Sequence, residues 1–138
     1  MRLIILILIF TSSCVSAHEK EGSYFISVTK ITNPVNDLGK ASLWYAKVLH
    51  LEPEDQDDKS VKFKVGDVEL VFTKSSERYP PQSAVIYWQV EDVEQDLARL
   101  LKLGATLKKP LTINFSGKKE AVVTDPFGNV IGISELTD

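Results

Sequence analysis

Hydrophobic positions along the chain form two series that repeat in the same order. The first opens with an apolar strand, Tyr24–Ile31, and continues through Val35-Asn36-Asp37-Leu38 into an amphipathic helix. Strands around Val61–Val65 and Val68–Phe72 follow. The second opens with the strand Ala84–Val90 and passes through Glu91-Asp92-Val93 into another helix. Strands around Ala121–Thr124 and Val130–Ser134 follow. Val35 and Val90 hold the same place, just before a helix cap. Gly66-Asp67 and Gly128-Asn129 each join two apolar runs, and a glycine beside Asp or Asn supplies the positive φ of a tight turn. An internal repeat of this kind sets the fold.

The helical stripes are specific. In the first helix Leu38, Ala41, Tyr45, Val48 and Leu49 fall on one face, with Asn36 or Asp37 as cap and Gly39 as a weak point. In the second, Asp92 caps and Gln95 sits three residues on. Val93, Leu97, Leu100 and Leu101 follow one face, and Gly104 ends the helix. Each unit therefore reads β-α-β-β with room for a third β-strand after the helix. In the second unit that strand falls at Ala105–Lys108 or Thr112–Phe115. In the first it is poorly marked, because Glu52–Ser60 is acidic and polar. The units span about residues 24–74 and 83–136, joined by a loop carrying Pro80-Pro81. Each half is too small to be stable alone by burial.

A different pattern precedes the repeat. Arg2 is followed by the unbroken apolar run Leu3–Phe10 and then by small and polar residues to Ala17. Residues 1–17 read as a secretory signal, with a short linker at 18–23. The apolar run is too short to span a bilayer. Two cleavage readings stay open. Val15-Ser16-Ala17 suits signal peptidase I. Thr11-Ser12-Ser13-Cys14 resembles a bacterial lipobox, which would acylate Cys14, although Thr11 departs from the usual aliphatic residue. Either way the chain is expected to be exported in a bacterium, as a periplasmic protein or a membrane-anchored lipoprotein.

Composition narrows the chemistry. The 138 residues, 43% hydrophobic and 25% charged, make an ordinary single globular domain. With 16 basic and 19 acidic residues the net charge is −3, so a basic nucleic-acid footprint is absent. One cysteine permits no intrachain disulfide. No G-x-S-x-G, P-loop or G-x-G-x-x-G pattern occurs. Glu54, Asp55, Asp57 and Asp58 lack the glycine and closing glutamate of a calcium loop, and read as a solvated turn.

Asp37-Leu38 followed by Leu43-Trp44-Tyr45-Ala46-Lys47-Val48-Leu49 resembles the D-L-x-x-x-x-x-F-Y-x-x-V-L-G entry helix of the vicinal oxygen chelate superfamily. That group includes glyoxalase I, extradiol dioxygenases, and the fosfomycin and bleomycin resistance proteins. Leu103-Gly104-Ala105 and Asp125-Pro126-Phe127-Gly128-Asn129 match its second half. The resemblance covers about residues 24–136. It implies an α+β fold of two paired β-α-β-β-β modules, forming a curved mixed sheet around one cavity with the helices outside.

The resemblance also implies where a metal would sit. Enzymatic members hold a divalent ion through His, Gln or Glu on the first and last strands of each module. Counting from the landmarks places those positions at Lys30, Val85, Leu70 and Gly132. Val, Leu and Gly side chains offer no lone pair, and a protonated lysine offers only donors. Glu69 would turn inward only with a one-residue strand slip, and one carboxylate falls short of the roughly three protein ligands that a Lewis-acid metal takes. His50 ends the first helix, where the family has glycine, and reads as structural. His18 lies at the cleavage junction. No metal or other cofactor is therefore expected, and the enzyme reading is weakened accordingly.

What remains is a pocket. Strand alternation puts Tyr87 and Gln89 on the side of Val85, with Ile86, Trp88 and Val90 toward the helices. The same logic gives the cavity Val130, Gly132 and Ser134, then Val68, Leu70 and Phe72, then Tyr24, Ile26, Val28 and Lys30. Val28, Val68, Leu70 and Phe72 read as core filling. Tyr24, Lys30, Tyr87, Gln89 and Ser134 are the candidate ligand-binding residues. Three functions follow: a small-molecule binding module, a metal-dependent lyase or dioxygenase, or an interaction protein that uses its modules as dimer surface. The expected partners are a small molecule and a second copy of the chain, with membrane contact only through a lipid on Cys14.

N-terminal mass analysis of protein from its source should find the mature chain starting at Cys14 or His18. An acyl mass that disappears in Cys14→Ala selects the lipoprotein branch, and a mature chain retaining Leu3–Ile9 refutes both.

Overall fold

The computed structural model describes residues 27–76 and 85–136, so the segment expected to be a signal, Cys14, His18, Tyr24 and the Pro80-Pro81 joint lie outside it. Two β-α-β-β-β units run in sequence. The first comprises β1 (Lys30–Val35), α1 (Leu38–Leu49), β2 (Asp55–Gln56), β3 (Ser60–Val65) and β4 (Val68–Lys74). The second comprises β5 (Tyr87–Val90), α2 (Val93–Lys102), β6 (Thr106–Ile113), β7 (Lys119–Thr124) and β8 (Val130–Glu135). Each unit builds a four-stranded mixed sheet, in the orders β1-β4-β3-β2 and β5-β8-β7-β6. The first and last strands of each unit pair in parallel, and the rest pair antiparallel. The paired modules implied by the sequence are present, as an α+β fold. Among the described residues no helix is long and apolar enough to cross a membrane.

The caps work as the spacing predicts. Asp37 accepts the Lys40 N–H, and Asp92 accepts the Gln95 N–H, each at 2.9 Å. His50 stands at the end of α1 with φ 53°, the left-handed conformation in which glycine is usual.

Three elements differ from the sequence expectation. The first strand runs Lys30–Val35, not Tyr24–Ile31, and includes Pro34. Because β1 lies at a sheet edge, Pro34 has no outer ladder in which to miss a donor. The third strand of the second unit overlaps both candidate segments in one run, Thr106–Ile113, with register shifts on either side of Lys109. That of the first unit is two residues long, in the acidic stretch where apolar alternation gives no signal.

The two glycine turns are also unequal. Val65 pairs with Val68 across Gly66-Asp67, a two-residue hairpin. Thr124 pairs with Val130 across a five-residue loop. Counting from the glycine therefore sets the two last strands out of step. Lys30 lies beside Glu69, not Leu70, whereas Tyr87 lies beside Gly132. Leu70 and Phe72 consequently face α1 and are core, with Phe72 stacked at 4.0 Å on Tyr45. Val28, expected to fill the core, is 64% exposed.

One core runs through both units. Phe63, Phe72, Val61, Val93 and Val123 are fully buried. Among the described residues, four side chains reach across with hydrogen bonds that tether the units. Tyr45 donates from its hydroxyl to Asp125 Oδ2 at 2.5 Å. Trp44 donates from Nε1 to the Leu103 carbonyl at 2.8 Å. Asn129 donates to the Pro34 carbonyl at 3.1 Å, and Arg99 donates to the Val48 carbonyl at 3.1 Å.

Asp125 is the hub of this interface. Besides Tyr45 it accepts the N–H groups of Phe127 and Asn129 and the Asn129 amide. Burial pushes its carboxyl above the ordinary range against those hydrogen bonds, and burial together with the neighbouring carboxylate pushes the Tyr45 phenol well up. Tyr45→Phe should cost about 1–3 kcal/mol at neutral pH by removing a donor from a buried carboxylate. A raised carboxyl pKa contributes stability at low pH that is lost as pH rises through it. Losing the tyrosine donor raises that pKa further, so the deficit of Tyr45→Phe should shrink from pH 7 toward pH 4. Denaturant unfolding at several pH values measures it.

Candidate functional site

The open faces of the sheets, turned away from the helices, carry the described sequence candidates in two separate groups. On the first sheet, Lys30 Nζ lies 3.7 Å from Glu69 Oε2 with the lysine more than half exposed. A surface pair of this kind is worth at most about 1 kcal/mol. On the second sheet Gln89 pairs with Ser134, and Tyr87 with Gly132. The structure thus brings Tyr87, Gln89 and Ser134 to one face and Lys30 to another sheet beside Glu69. Tyr24 falls outside the described residues.

Gly132 has a particular neighbour. A Cβ built on it would lie 2.6 Å from Tyr87 Cδ1 and under 3 Å from two further ring atoms. The tyrosine ring therefore lies on bare backbone and takes the space that a side chain at position 132 would need. The divalent metal implied by the resemblance does not fit this donor set. Glu69 is a single carboxylate and already faces an ammonium. Val85 offers no donor, and position 132 is covered by a ring. Among the described residues no three His, Cys, Asp or Glu side chains are grouped to hold a metal ion. The Tyr45–Asp125 pair is likewise committed, each group to the other.

A cavity of about 450 Å³ opens on the other side of the sheets, between the two units. Its floor is aliphatic: Leu70 and Val65 from the first sheet, Ile131 and Ile133 from the second. α1 contributes Tyr45 and Val48, and α2 contributes Leu100. Trp88 forms part of the wall, consistent with strand alternation that turns it toward the helices. The rim is polar, with His50 at the end of α1, Glu91 and Asp92 before α2, and Arg99 on α2. Gln89 borders it as well.

Sequence reasoning missed this cavity. Its apolar members looked like ordinary helix and strand core, which is what they are on each unit taken alone. The space arises where two helix-bearing faces meet, and no single-strand or single-helix pattern encodes that meeting. Arg99 carried one visible signal, an (i, i+3) relation to Asp96. The pair forms, at 2.8 Å.

Two mixed sheets built from a repeated β-α-β-β-β unit, with an interface closed by an Asp-Pro-Phe-Gly-Asn loop, define a paired-module protein. The chain belongs to the Glyoxalase/Bleomycin resistance protein/Dioxygenase superfamily, whose family model matches residues 27–133. Solved structures share the fold at low identity. A glyoxalase/bleomycin resistance protein/dioxygenase family enzyme from Burkholderia phytofirmans PsJN has a TM-score of 0.70 at 18% identity, covering 79% of this chain and 98% of its own. A glyoxalase-related enzyme from Fulvimarina pelagi has a TM-score of 0.69 at 18% identity, covering 81% and 89%. A lactoylglutathione lyase from Agrobacterium tumefaciens has a TM-score of 0.64 at 18% identity, covering 79% and 92%. Comparison with curated proteins gives no match.

Gly132→Ala should cost about 1–3 kcal/mol by overpacking against the Tyr87 ring. The cost should fall sharply in a Tyr87→Ala background, because the two positions are in contact. Thermal unfolding of the four-member cycle measures this. Zinc, nickel or manganese should leave the melting temperature nearly unchanged. A stoichiometric metal whose stabilisation vanishes in Glu69→Ala would contradict the donor-set argument.

Proposed function

We propose that this chain is an exported small-molecule binding module of the superfamily, working without a metal, and that its ligand occupies the cavity between the two units. The observation that carries the proposal is the cavity itself. Its volume of about 450 Å³, aliphatic floor and polar rim match the usual character of a small-ligand site. The donor set on the open faces supports binding over turnover. Glyoxalase and dioxygenase chemistry both need a metal to polarise or activate oxygen, and the residues at Lys30, Glu69, Val85 and Gly132 do not suit one.

Native mass spectrometry of the protein purified from its source tests the proposal. We expect a non-covalent organic mass released on denaturation, with no bound metal. Val65→Trp, placed at the half-buried edge of the cavity, should abolish the adduct while leaving the circular dichroism spectrum unchanged. Hemithioacetal turnover that depends on added metal would restore the enzyme reading. A ligand-free dimer in which the cavity face is covered would favour the interaction protein.

A further inference from the structure

The charges at the cavity rim restrict the occupant, on the footing of the binding function proposed above. Three carboxylates border the cavity, Glu91, Asp92 and Asp96, against two bases, His50 and Arg99. Arg99 is already spent. Its Nε and Nη2 bond Asp96 Oδ1 at 3.0 and 2.8 Å, and its Nη1 bonds the Val48 carbonyl at 3.1 Å and the Lys47 carbonyl at 3.4 Å. It neutralises Asp96 and covers the last carbonyls of α1, so its fork has little left for an incoming anion. Asp92 caps α2 through Oδ1 to the Gln95 N–H. Glu91 is exposed, and among the described residues no cation pairs with it. Lys119, paired with Glu94 at 2.7 Å, also attracts Asp92, so Glu91 is the unbalanced charge at the rim. Trp88 lines the same cavity, and an indole ring favours a cation as well as an apolar body.

We infer that the cavity selects an apolar cation: an aromatic or branched aliphatic body carrying one amine or quaternary ammonium. The body rests on the aliphatic floor and the Trp88 wall. The charge stays at the rim near Glu91, where it remains partly hydrated and avoids the cost of full burial. An anion with the same body meets the Glu91 carboxylate and a guanidinium that is already occupied.

Three probes with one body separate charge from shape: trimethyl(1-naphthylmethyl)ammonium, 1-naphthylacetate and neutral 1-naphthylmethanol. Each is titrated calorimetrically into the intact protein at pH 8. The ammonium should bind at least about fivefold more tightly than the acetate at low salt, a factor in keeping with one exposed carboxylate. The preference should narrow as salt is raised and fall several-fold in Glu91→Gln, with binding of the neutral probe unchanged. Val65→Trp should weaken all three alike. An acetate that binds as tightly as the ammonium, or a preference untouched by Glu91→Gln, overturns the charge selection and leaves the binding function standing. Failure of all three, the neutral probe included, overturns the binding function itself.

Discussion

The bond from the Tyr45 hydroxyl to the Asp125 carboxylate organises this molecule. It joins the first helix to the loop that closes the second sheet, 80 residues away, and it lies in a buried interface. A carboxylate in that position is costly unless its lone pairs are filled. The loop fills them, giving Asp125 two backbone N–H groups and the Asn129 amide. Asn129 in turn reaches back to Pro34 on the first strand. The Asp-Pro-Phe-Gly-Asn sequence is thus a connector whose acid and amide bind the other unit, while its glycine, at φ 92°, lets the loop close. Trp44 and Phe127 meet edge to face alongside. With this corner fixed, the last turns of α1 and the first turns of α2 border the cavity over its aliphatic floor.

Much of this architecture was legible in the residues. The repeated order of strand, cap, helix and strands is a local pattern, and local patterns survive into the fold. Asp37 and Asp92 cap where their spacing places them, and Trp88 faces the helices. The failures share one cause. Counting from Gly66 and Gly128 assumed two equal turns, and one turn is three residues longer than the other. Strand faces alternate with a period of two, so this difference turned Leu70 into core and put Glu69 beside Lys30. The first strand begins later than its apolar run and includes Pro34, which an edge strand tolerates. The inter-unit cavity had no signature, because each of its walls is ordinary core within its own unit.

The open faces tell a related story about chemistry. The strand positions at which the resemblance implies metal ligands carry a lysine, a glutamate, a valine and a bare glycine in this chain. At Gly132 a ring from the neighbouring strand, Tyr87, occupies the space that a side chain would take. A side chain introduced at position 132 would have to displace that ring before it could reach anything else.

The tethers between the units carry a kinetic consequence. They link residues 51 to 95 positions apart along the chain, whereas contacts inside each unit close much shorter loops. Loop closure costs entropy that grows with the logarithm of length and must be met before the contact rewards it. Each β-α-β-β-β unit can therefore begin to assemble early, but α1 gains its Arg99 partner and Tyr45 gains Asp125 only when the second half has been made. During synthesis the first unit must wait, with Trp44 Nε1, the Tyr45 hydroxyl and the Val48 carbonyl lacking their partners from the second, for some 60 further residues to emerge from the ribosome. The interface that shapes the cavity is the last part of the molecule to form, and until it forms the waiting half is the segment a chaperone would hold.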